Sequence, residues 1–150
     1  MTTAISTIQQ IATELGCEFF QGTLNELNQD IENKVVNESG WYFGYVSPPQ
    51  VTDRLTGGVI DTTLPFTAYI VKRVSAGTSE YRTQTVQPVI DAALKKARSF
   101  FHKFNETDLI EDPTNEVRYP TIYGQFDFHL FGVGIDCEFV ISEGLTGCEP

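Results

Sequence analysis

The sequence predicts an α+β fold: a single antiparallel sheet with a long helix packed across one face and a short N-terminal helix. Three observations carry this. Helix-like and strand-like segments are segregated along the chain rather than strictly alternating. One apolar stripe at helical spacing joins Val86, Val89, Ile90, Ala93, Leu94, Ala97, Phe100, Phe101 and Phe104. The C-terminal part alternates with period two from Ile122 to Ile141. No repeat and no linker divides the chain, so its 150 residues read as one domain.

Taken in order, the first segment places Ile5, Ile8, Ile11, Ala12 and Leu15 at three- and four-residue steps, which predicts a helix. Thr2, Thr3 or Ser6 can cap it, and Gly16 is a suitable stop. Cys17 to Gly22 is a short strand-like piece. From Thr23 to Gly40 four asparagines interrupt any helical run, so a loop with a short helix is expected. Trp41 to Val46 is rich in strand-forming aromatics, and Pro48-Pro49 stops it. Gln50 to Asp61, with Gly57-Gly58 and little apolar content, reads as a long excursion, and Leu64 to Val74 as the next strand. Gly77 to Arg82 is a polar loop. Pro88 suits only a first helical turn, which puts the start of the long helix near Thr85 or Gln87 and its end near Asn105. Asn105 to Glu116 carries five acidic residues and no base, an acidic loop. The remainder, Thr121 to Ile141, reads as a hairpin. A two-residue loop at Val133-Gly134 sets Leu130 opposite Cys137, Phe128 opposite Phe139, and His129 beside Glu138. The tail from Gly144 reads as frayed.

Composition narrows the function classes. Hydrophobic residues make up 41% and charged residues 20%, a globular balance that excludes wholesale disorder and coiled coil. No apolar run approaches bilayer length. The first residues lack the basic stretch and apolar run of a secretory signal. Twenty acidic against ten basic residues give a net charge of −10, which argues against a protein that grips nucleic acid. The three cysteines, Cys17, Cys137 and Cys148, match neither a disulfide framework nor a zinc pattern.

No constellation points to an enzyme or to a cofactor. There is no Gly-x-Ser-x-Gly, and Cys137 falls on the predicted core face, where a thiol is inert. Gly132-Val133-Gly134 and Gly57-Gly58 lack the helix and Lys-Ser/Thr of a phosphate loop. Glu111 and Asp112 have no apolar walls to raise a pKa. His102 reads as a solvated surface side chain. Asp127, His129 and Glu138 share a hairpin face and are the one set that can approach a metal ion, although His–Glu pairs are ordinary on sheet surfaces.

Aromatics outside the core stripe, Tyr42, Tyr69, Tyr123 and Phe131, read equally as partner contacts and as packing under the first helix or the Thr23–Gly40 segment. Charge is segregated: basic residues gather on the long helix, acids in Glu106–Glu116 and Asn25–Glu38. A molecule with the two signs on different sides suits self-assembly in a ring.

The element order resembles the tail-terminator and tail-completion (neck) proteins of long-tailed bacteriophages. A short helix runs into Phe19-Phe20-Gln21-Gly22, an extended pair follows at Trp41–Val46 and Leu64–Val74, a helix crosses at Val86–Phe104, and a hairpin closes at Thr121–Ile141. The resemblance implies a non-catalytic virion protein, made in the host cytoplasm. It forms a ring, typically a hexamer, at the head-proximal end of the tail. Its partners are itself, the tail tube and the neck or head-completion proteins; DNA passes through without being specifically bound. Arg54, Lys95, Lys96, Arg98 and Lys103 are the expected intersubunit contacts, with Glu111, Asp112 and Glu116 as their partners or as the lumen lining. The alternative is a monomeric or dimeric ligand- or protein-binding module with a pocket near Trp41 and Tyr123. A metal-dependent hydrolase using Asp127, His129 and Glu138 comes third.

Overall fold

Helical periodicity and a glycine stop produce the first element. The computed structural model describes residues 2–27, 29, 40–48, 50–74, 79–112, 116–125 and 130–141. Helix α1 spans Thr2–Glu14 and buries Ala4, Ile8, Ile11 and Ala12. Gly16, at φ 78°, sits in the left-handed region and donates its N–H to the Thr13 carbonyl at 3.0 Å, closing the helix. The chain then makes β1 (Cys17–Gly22), one helical turn at 24–27 capped by the Thr23 hydroxyl, and β2 (Trp41–Val46). Next come β3 (Thr52–Thr56), β4 (Val59–Arg73), α2 (Ser79–Asn105), β5 (Ile110–Asp112), β6 (Thr121–Gln125) and β7 (Leu130–Ile141).

The α+β class holds, but the sheet is mixed. Strands run in the order β1-β2-β4-β7-β5, with β3 also pairing β4 and β6 also pairing β7. Every pair is antiparallel except β1–β2, which is parallel with Cys17 opposite Trp41. Residues 23–40 separate these strands, enough chain to return to the starting end, which a parallel pair requires.

Further expectations change along the chain. Gln50–Asp61 is not an excursion: β3 and β4 form a hairpin whose turn is Gly57-Gly58, both at positive φ (59° and 82°), the conformation tight two-residue hairpins demand. The long helix begins at Ser79, not near Thr85 or Gln87, and carries Pro88 inside it. Pro88 removes one backbone bond but is exposed, and the stripe Val86, Ile90, Ala93, Ala97, Phe100 and Phe104 is buried against the sheet on either side of it. Val133-Gly134 is not a turn. Both residues lie inside β7, with Val133 opposite Ile70 and Gly134 opposite Tyr69. Leu130 therefore faces Arg73 rather than Cys137, and Cys137 faces Phe66. The two glycines here serve close packing: a Cβ on Gly132 would fall on the Ile70 carbonyl oxygen, and one on Gly134 would come 2.9 Å from Pro120 Cγ. Phe128 and His129 lie outside the described residues.

Burial splits by sheet face. On β4, Leu64, Phe66, Ala68 and Ile70 face the helices, and on β7 so do Phe131, Val133, Ile135, Cys137, Phe139 and Ile141. Phe66 is the hub of this side: its ring stacks on Tyr45 and Phe100 at 5.3 Å and meets Phe139 edge-on at 5.5 Å. Phe131, which strand alternation from Ile122 places on the outer face, is 2% exposed and packs on the helix side. The opposite face carries a smaller cluster of Phe20, Leu27, Tyr42, Val71, Ile122 and Leu130. So Tyr42 is buried under the 24–27 turn, as packing by the Thr23–Gly40 segment implied, while Tyr123 stays 47% exposed.

Candidate functional site

The helical phase of α2 decides which of its cations face outward. Ala93, Ala97, Phe100 and Phe104 mark the buried line. Lys96 and Lys103, seven residues apart, lie along the flank that meets α1. Lys96 Nζ donates to the Leu15 carbonyl at 2.6 Å and sits 5.4 Å from the centre of the Trp41 ring. A cation on the last carbonyls of α1 complements that helix's negative end. Lys103 pairs with Glu14 at 3.2 Å. Both are engaged in joining the two helices. Lys95 and Arg98 instead project from the outer side and are exposed, and among the described residues neither is in an ion pair. His102 is on that side too, 4.0 Å from Glu106.

Arg54 is exposed on β3, opposite Asp61 in the ladder. Asp53 on the same strand accepts a 2.7 Å hydrogen bond from the nearly buried Thr62 hydroxyl, which fixes the hairpin. Leu55, next to Arg54, is 75% exposed, the most exposed large apolar side chain among the described residues. Glu111 and Asp112 are not in a free loop; they lie on β5, which pairs with the end of β7. Glu111 is exposed there. Glu116 is exposed and 3.3 Å from Arg118. Among the described residues, Lys103 pairs with Glu14 and Glu116 with Arg118, so these two expected contacts are each satisfied by a neighbour outside the expected set.

Sequence reasoning missed the open end of the face turned away from the helices. There β4 contributes Thr63 and Pro65, β7 contributes Asp136, Glu138 and Val140, and the approach to β6 contributes Glu116 and Arg118. Backbone bonds between Arg118 and Asp136, 2.9 Å in both directions, hold that approach against β7. Together they line a broad cleft of about 620 Å³. Asp136 and Glu138 are exposed and face away from Cys137 and Phe139, as strand alternation requires. Burial, aided by the Asp136 carboxylate, raises the Tyr69 phenol above its ordinary value. The signal for this face is the Asp136-Cys137-Glu138 alternation in β7. A second cleft, about 360 Å³, lies between α1 and the end of α2 around Glu14 and Lys103. Neither cleft includes Trp41 or Tyr123.

The buried thiols are chemically quiet. Burial pushes Cys17 up to about 11, against a smaller opposing pull from Lys96, and pushes Cys137 up to about 12, with the Asp136 and Glu138 charges adding to it. Both are protonated at neutral pH and poor nucleophiles. Asp127 and His129 lie outside the described residues; among the described residues no group of three or more His, Cys, Asp or Glu gathers as a metal site. Nor, among them, is any helix long and apolar enough to cross a membrane.

The outer side of α2, the β3–β4 hairpin and the open cleft are among the exposed surfaces of the described residues. No protein-family model matches the chain, and no curated protein matches it.

Proposed function

We propose that the chain is a non-catalytic structural subunit that assembles with copies of itself into a closed ring. In this reading it is a virion component at the head-proximal end of a phage tail. It joins the tail tube to the neck or head-completion proteins and lets DNA pass. The observation that carries the reading is the β3–β4 hairpin, which presents Leu55 at 75% exposure beside Arg54. An exposed edge strand bearing a large apolar side chain is a surface for another chain. Segregated charge supports the same reading, with Lys95 and Arg98 on the helix side and Asp136 and Glu138 on the other. The net charge of −10 suits a conduit past which DNA slides rather than one that holds it.

Electron microscopy of the purified full chain tests this. Class averages showing a ring with a central hole support it. Particles of single-copy size at every concentration overturn it and favour a monomeric binding module.

A further inference from the structure

We propose that the open end of the far sheet face receives the outer side of α2 from a second copy of this chain. The proposal rests on the ring reading and names the faces that meet. The helices cover one side of the sheet; on the other, among the described residues, the buried cluster around Leu27 and Ile122 includes none of Thr63, Pro65, Asp136, Glu138 and Val140. This part has a half-buried apolar floor, Pro65 and Val140, and exposed carboxylates on Asp136 and Glu138. Arg118 lies in the same cleft, but Glu116 at 3.3 Å offsets its charge, so the cleft presents net negative charge.

The complementary surface is on the helix that covers the other face of the sheet. Lys95 and Arg98 stand on the outer side of α2 with exposed Ser99 between them and the helix end; exposed Asp91, one turn before Lys95, accepts a hydrogen bond from Gln87 at 3.0 Å. The other two lysines of that stretch, Lys96 and Lys103, are engaged with α1. Among the described residues no ion pair joins Lys95 or Arg98 to Asp136 or Glu138 within a copy, and Arg98 comes only as near as Tyr119, beside the cleft. Base and acid meet head-to-tail between copies, and a head-to-tail contact closes into a ring when its rotation permits. Its strength falls with salt because the charges are exposed.

Two charge-reversed variants of the full chain test this by native mass spectrometry at low salt. One carries Lys95→Glu and Arg98→Glu; the other carries Asp136→Lys and Glu138→Lys. Each alone has like charges on both faces, and association weakens by at least roughly tenfold. Mixed in equal amounts, acidic helix meets basic sheet and basic helix meets acidic sheet, so oligomers that alternate the two variants return. Circular dichroism melts establish that each variant is folded. If the strand variant does not fold, Asp136→Asn with Glu138→Gln replaces it, and the expected result is dissociation at lower salt than for the unaltered chain. Oligomers that persist in either reversed variant, or a mixture that stays monomeric, overturn these faces while leaving the ring reading intact. An unaltered chain that never associates overturns both.

Discussion

On the helix side of the sheet Phe66 packs against Tyr45, Phe100, Phe104 and Phe139, whereas on the other side Asp136 and Glu138 of the neighbouring central strand are exposed. The strands are shared, so the contrast is between alternate residues of one backbone. Leu64, Phe66, Ala68 and Ile70 of β4 are all fully buried; Thr63, Pro65, Thr67 and Tyr69 between them are only partly so. Over residues 63–70 one parity fills the main core and the other is only part-buried, which separates stability from association at this end of the sheet and makes the two independently breakable.

The largest expected effect is on the filled side. Phe66→Ala removes a ring with four aromatic neighbours and leaves a cavity that the sheet cannot collapse. It costs about 3–5 kcal/mol, read as a lower denaturant midpoint. Gly132→Ala comes next, at about 1–3 kcal/mol, because the new methyl meets the Ile70 carbonyl in the middle of a three-strand ladder. A Gly132→Ala protein as stable as the parent removes the close-packing account of that glycine.

Alkaline pH probes the same side. The Cys17 and Cys137 thiols, ordinarily near 9, sit at about 11 and about 12 in the fold, and burial holds Tyr45 at about 12. Their folded values lie above their unfolded ones, so the protonated forms stabilise the fold fully below pH 9. That stabilisation is lost as pH rises through 9 toward 12. Thermal midpoints measured from pH 7 to 11 fall above pH 9; a flat profile refutes the burial of these groups. The smallest effect is at the surface. Lys103→Ala breaks a half-exposed pair with Glu14 and costs under about 1 kcal/mol.

The parts of the fold that are legible in the sequence are those in which local chemistry and tertiary packing agree. α1 is readable because its apolar period and its Gly16 stop say the same thing. The β3–β4 hairpin was not, since Thr52-Asp53-Arg54 offers no apolar alternation; Gly57-Gly58 was the available clue. The start of α2 was hidden by Pro88, whose local cost is overridden by the stripe packing around it. Gly132 and Gly134 misled in the other direction, because a glycine that admits a neighbouring strand looks the same as one that turns the chain. At the candidate surfaces, helical phase alone separates Lys95 and Arg98 from Lys96 and Lys103. The acidic cleft is different: it needs β4, β7 and residues 116–118 side by side, and only the sheet order supplies that.

The central claim, that copies of this chain associate through exposed and oppositely charged surfaces, is tested most directly by native mass spectrometry of the unaltered full chain across a salt series. The account predicts a discrete closed oligomer at low salt that dissociates as salt rises. A strict monomer at high protein concentration and low salt would contradict it.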